Sequence, residues 1–158
     1  MFAADGIPAN YVSHMFTSLV VALTTAPTHG AELKTQDEIR LVEGVGIEGD
    51  RHAGKLRQVT LICTGELSKA AAEHGAHIDA VRTRRNIVVD LDELPRTHGT
   101  VLTIGETELT VWRDCAPCSL MDDFFGDGAR RALQQRAGVS ATVTRGGIVR
   151  LGDMIQFA

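Results

Sequence analysis

The chain has 158 residues, a formal net charge of −4, 44% hydrophobic and 23% charged residues. That is the length of one domain, in ordinary globular proportions, with enough apolar residues for a single core. The acidic balance excludes a surface built to coat nucleic acid or an anionic membrane, and no apolar run reaches the ~18 residues of a membrane span.

Residues 1–14, MFAADGIPANYVSH, follow no periodic pattern. They read as a flexible arm, drawn to residues 1–15, ahead of a single domain over 16–158. Phe16–Thr24 is apolar but too short to cross a membrane, and no Lys or Arg precedes it to make a signal peptide. The expectation is a cytoplasmic, reducing setting with free thiols.

Leu19–Leu23 and Ile39–Val42 are strand candidates. Between the second of these and the next strand lies EGVGIEGDRHAGKLR, residues 43–57, a long glycine-rich connection of the kind that often carries function. QVTLIC, 58–63, is a β-branched strand run. TGELSKAAAEHG, 64–75, reads as a helix capped by Thr64, with Glu66 at the positive end of the dipole and Gly75 closing it. NIVVDL, 86–91, is another strand, and TVLTIGETELTVW, 100–112, is a hairpin turning at Gly105-Glu106. DGARRALQQRAG, 127–138, reads as a helix with Asp127 as cap and Ala129, Leu133 and Ala137 on one face. Three short strands close the chain. About eight strands and two or three short helices, without strict alternation, argue against βαβ winding and for a mostly β, mixed or antiparallel barrel.

The segment WRDCAPCSLMDD, 112–123, holds two of the three cysteines as C-x-x-C. A structural zinc site needs four ligands, and neither Cys63 nor the histidines, of which only His74 and His77 are closely spaced, supply a second paired motif. A thioredoxin-like redox pair wants C-x-x-C early in a βαβ unit, not two-thirds of the way along. A third reading is one working thiol, Cys118, on a platform stiffened by Pro117. The plainest reading is small buried residues, which suits Cys63 inside its apolar strand.

Three segments are suited to an anion. GIEGDRHAG, 46–54, offers backbone N–H groups with Arg51 and His52; RTRRNIVVD, 82–90, masses three arginines before a strand; TRGGIVRLGD, 144–153, adds Arg145 beside a Gly-Gly turn. Alternation along a strand places Arg84 and Asn86 on one side and Arg85 on the other. Alone, the first reads equally as a solvated loop and the second as a basic turn, and the third is most simply a hairpin. Neither nucleotide-binding glycine pattern is present.

Taken in order, GIEGDRHAG, RQVTLI, RRNIVV, TIGETELTV, CAPC and GGIVRLGD resemble the MOSC domain, the family named for the C-terminal part of molybdenum cofactor sulfurase. The resemblance runs from about residue 18 to residue 157. It implies a β-barrel like that of the pyruvate kinase barrel domain, and a site for molybdenum cofactor, a phosphorylated pterin dithiolene, or for sulfur carried to it. By that resemblance Cys118 is sulfur carrier or metal ligand. Asp50, Arg51, His52, Arg57, Arg84 and Asn86 belong to the cofactor site. Cys115 departs from the family's usual pattern.

The implied activity is reduction of N-hydroxylated small molecules, with Cys118 and His52 as catalytic groups. His52 is chosen because an ordinary imidazole pKa suits proton delivery near neutrality. Electrons would come from a separate reductase. The alternatives are a carrier that hands cofactor or persulfide sulfur to a delivery partner, and a thiol–disulfide enzyme. Pyridoxal phosphate is not expected, because Lys34, Lys55 and Lys69 lack a Schiff-base setting.

Overall fold

The computed structural model describes residues 18–157, so the arm over 1–15 lies outside the described residues. Strands dominate it: β1 Val20–Thr25, β2 Lys34–Thr35, β3 Glu38–Val42, β4 Gly46–Ile47, β5 Val59–Cys63, β6 Ile87–Val89, β7 Val101–Ile104, β8 Thr107–Asp114, β9 Val139–Arg145, β10 Gly147–Arg150 and β11 Ile155–Phe157. Three helices accompany them among the described residues: α1 Thr64–His74, α2 Leu120–Phe125 and α3 Ala129–Ala132.

The fold is mostly β, as the strand runs imply. Eight strands form one sheet in the order β11-β7-β8-β9-β5-β6-β1-β2, and β10-β3-β4 form a second. The large sheet is not a closed ladder. Leu19, just before β1, bridges Met154, just before β11, with Val20 N–H donating to Asp153 O and Gly152 N–H to Val20 O, both at 2.8 Å, and Ile155 N–H to Ser18 O at 2.9 Å; the expected barrel is not closed. The sheet is mixed, as expected, with one parallel pair. β5 and β6 pair in parallel, Leu61 opposite Ile87, so β5-α1-β6 is a βαβ unit inside an otherwise antiparallel sheet. A single such unit leaves no strand–helix alternation to detect.

β5 is buried along its whole length because both faces are covered. Val59, Leu61 and Cys63 point into the main core with Ile87 and Val89. Ile62 and Val88 face a second cluster formed with Leu67, Ala70, Met121 and Leu133 from the helical side. The alternation of the pleat therefore feeds two cores.

Local chemistry differs from expectation at two helix starts. Cys63, not Thr64, is the N-cap of α1; the Thr64 hydroxyl instead donates to Asp90 Oδ1 at 2.7 Å. Asp127 does not cap α3, which starts after Gly128 and lasts one turn. Ala129, Leu133 and Ala137 are still buried together, since a run of turns keeps them on the inner side. Gly75 closes α1 through its N–H to Ala71 O, and Gly105 turns the β7–β8 hairpin with φ +56°.

Candidate functional site

The loop after β4 is held by one carboxylate. Asp50, 5% exposed, accepts from Ala26 N–H at 3.0 Å and Arg51 Nη1 at 3.2 Å through Oδ1, and from His52 N–H at 3.2 Å through Oδ2. Arg51, also buried, donates its other nitrogen to Arg84 O at 2.8 Å. Arg84 sits in the left-handed region, φ +65°, at the end of a 3-10 turn over Val81–Thr83, and donates from Nη2 to Ala31 O at 2.8 Å. A non-glycine residue there is unusual and needs such bonds on both sides to hold it.

That kink breaks the alternation read from the sequence. Arg85 turns to the same cavity as Arg84, and Asn86 turns away. The cavity has a volume of about 590 Å³. Arg51, Arg57, Arg84 and Arg85 line it and make it cationic, with His52 among them. Cys118 lines it too, together with Leu120, Met121 and Phe124 of α2, and the Arg82 guanidinium lies over the Phe124 ring at 5.1 Å from its centroid. A chain of net charge −4 thus gathers four arginines around one thiol.

Asn86 lies elsewhere. It is fully buried; its Oδ1 accepts from Thr60 N–H at 3.0 Å and Thr60 Oγ1 at 2.9 Å, and its Nδ2 donates to Thr24 O at 3.1 Å. It stitches β5, β6 and β1 together and, fully buried, does not line the cavity. Asp50 likewise stands behind the cavity wall as an anchor. Arg85 is the residue the sequence reading left out, although it stood in the arginine cluster.

The three thiols occupy three environments. Cys63 is a buried core residue whose Sγ donates to Glu66 Oε2 at 2.9 Å; burial, with that bond, pushes its pKa up to about 12. Cys115 is 0% exposed, and burial raises its pKa against the opposing pull of Arg85 and Arg57. Cys118 is exposed, and all three are free. Among the described residues no group of three or more His, Cys, Asp and Glu is placed to hold a metal ion.

His52 is not the neutral-pH proton donor the sequence suggests. Burial, then the charge of Arg51, depress its pKa to about 4, outweighing Asp50. Its Nδ1 lies 3.6 Å from Asp50 Oδ2 and finds no hydrogen-bond partner among the described residues. At pH 7 the ring is neutral. Arg51 and Arg85 are also pushed down from the usual arginine range, in each case mainly by burial. Guanidinium groups so desolvated gain most from an anionic ligand.

No helix among the described residues is long and apolar enough to cross a membrane. None of the three lysines lines the cavity.

A family model for the MOSC domain matches residues 48–156. The fold is shared with the YUAD protein from Bacillus subtilis, at a TM-score of 0.76 and 20% identity over 87% of this chain and 93% of that one. YiiM from Escherichia coli aligns with a TM-score of 0.65 and 19% identity, over 89% of this chain and 69% of that one. YiiM from Geobacillus stearothermophilus aligns at 0.59 and 14%, over 91% and 74%. No curated protein matches the sequence.

Proposed function

The chain belongs to the MOSC domain family, and from that premise we propose that it holds molybdenum cofactor and reduces N-hydroxylated compounds with electrons from a separate reductase. The observation that carries the reading is the exposed Cys118 thiol facing a cavity walled by Arg51, Arg57, Arg84 and Arg85. The donor set fits the group. A thiolate is a soft ligand suited to molybdenum, and planar guanidinium forks suit a phosphate. Arg57 would grip the phosphate, with Arg84 and Arg85, each partly bonded to loop carbonyls, adding positive charge beside it. Cys118 would complete the metal's coordination.

When bound, the cofactor supplies a two-electron centre for cleaving an N–O bond: R–NHOH, two electrons and two protons give R–NH2 and water. The protein's own residues do the rest. Leu120, Met121 and Phe124 exclude water from one side of the cavity and favour an apolar or planar substrate. His52, neutral, offers a ring nitrogen to a substrate or pterin N–H. The protons come through solvent at the open rim, where Cys118 and Ser119 are exposed.

That same exposure supports a second reading, a carrier that passes cofactor or persulfide sulfur from Cys118 to another protein. Protein from a cofactor-competent host, assayed on a hydroxylamino-purine with an added reductase, separates the two. Turnover that vanishes in Cys118→Ser supports the reductase. Bound molybdenum without turnover supports the carrier, and sulfane sulfur on Cys118 without molybdenum supports sulfur transfer.

A further inference from the structure

A second depression, a groove of about 910 Å³, lies against the other side of the cysteine segment. Cys115, Ala116 and Pro117 line the groove; Ala116 and Cys118 line the cavity. The C-x-x-C segment is therefore a partition one residue thick at Ala116, with its two cysteines assigned to opposite compartments. A disulfide demands Cβ atoms turned toward each other, at about 3.5–4.5 Å. Here both thiols are free, with Cys115 fully buried on the groove side and Cys118 exposed in the cavity.

Two stitches hold the partition. Cys115 N–H donates to Gly138 O at 2.9 Å. The Arg85 guanidinium donates from Nε to Ala137 O at 2.7 Å and from Nη2 to Ala116 O at 3.3 Å. Residues 137–138 are themselves fixed to β5: a Cβ on Gly138 would fall 2.0 Å from Leu61 O, so the backbones touch there. Restraint passes from β5 through residues 137–138 and Arg85 to Ala116.

We infer that Arg85 is a positioning residue that clamps the 115–118 segment, keeping Cys118 open in the cavity and Cys115 sealed behind it. The inference rests on Cys118 being the working thiol, but the clamp is measurable without any cofactor. Lysine is a poor substitute, because a single ammonium lacks the fork that spans two carbonyls.

The test is native-state labelling with iodoacetamide, resolved by peptide mass, in wild type, Arg85→Met and Arg85→Lys. Cys63, 0% exposed on β5 and lining neither depression, is the internal reference. In wild type Cys118 labels roughly 100-fold or more faster than Cys115 or Cys63, as an open site against sites that need local opening. Arg85→Met raises Cys115 labelling about 10-fold or more with Cys63 unchanged, and Arg85→Lys falls between. Loss of the Arg85 charge by itself would make Cys115 a weaker nucleophile, so a gain reports movement of the segment. With diamide, Arg85→Met closes a Cys115–Cys118 disulfide, two thiol hydrogens and two electrons reducing the diazene to a hydrazine; wild type resists.

Unchanged Cys115 protection in Arg85→Met overturns the clamp. So does a parallel rise at Cys63, which marks general loosening, or a wild type that closes the disulfide equally fast. The molybdenum content of wild type is independent of all these outcomes, so failure of the clamp is distinguishable from failure of the cofactor reading.

Discussion

The anchor behind the cavity and the rim in front of it both carry arginine, and the two regions behave in opposite ways. Asp50, Arg51 and Asn86 have their polar atoms turned inward on one another, on backbone groups and on Thr60. Arg57 and Cys118 face the cavity with no side-chain hydrogen bond or ion pair among the described residues. Polar residues whose bonds are satisfied internally shape a site; those left unsatisfied are the ones a ligand can use. Arg84 and Arg85 are intermediate, each spending part of its guanidinium on loop carbonyls.

Substitutions in the anchor sharpen that contrast most. Asp50→Ala leaves Arg51 buried without its counter-charge and three donors without an acceptor, and is expected to cost about 3–5 kcal/mol, read by urea denaturation. A loss under ~1 kcal/mol would show the anchor to be slack. Asn86→Ala strands the Thr60 N–H and hydroxyl and the Thr24 carbonyl, for an expected loss of about 2–3 kcal/mol in the same measurement.

His52 gives a smaller, pH-dependent effect. Its folded pKa of about 4 lies below the ordinary 6.5, so the unfolded chain takes up the proton first. The stability tied to neutral His52 is complete above pH 6.5 and is lost as the pH falls toward 4. Thermal melts of His52→Gln should fall less steeply across that window than those of wild type; parallel slopes would contradict the burial assigned to the ring. Arg57→Gln, at the rim, is expected to leave stability within about 0.5 kcal/mol while weakening binding of inorganic phosphate about 10-fold. Equal phosphate affinity in the two proteins would move the anion site away from this wall.

Much of the fold was legible in the sequence. β5, β6 and the β7–β8 hairpin announce themselves by β-branched runs and by Gly105. The parallel pairing of β5 with β6 did not, because periodicity reports burial and says nothing of a neighbour's direction. The helix read over 127–138 was half right: its apolar spacing is real, but the helix ends at Ala132 and turns follow, with Gln135 at φ +60°.

The site was legible by composition and wrong in detail where backbone geometry intervenes. Alternation assigned Arg85 to the wrong side because Arg84 leaves the strand conformation. Asn86 looked like a ligand residue because a buried amide and a ligand-binding amide carry the same sequence signal. His52 looked like a proton donor because desolvation is invisible before the loop folds around it.

The central claim is that the open thiol and its cationic wall hold molybdenum cofactor. Its most direct test is elemental analysis of wild type and Cys118→Ser produced in the same cofactor-competent host. The account predicts molybdenum approaching one atom per chain in wild type and a loss of about 10-fold or more in Cys118→Ser. Equal molybdenum in the two proteins, or none in wild type from a host shown to load other molybdenum enzymes, would contradict it.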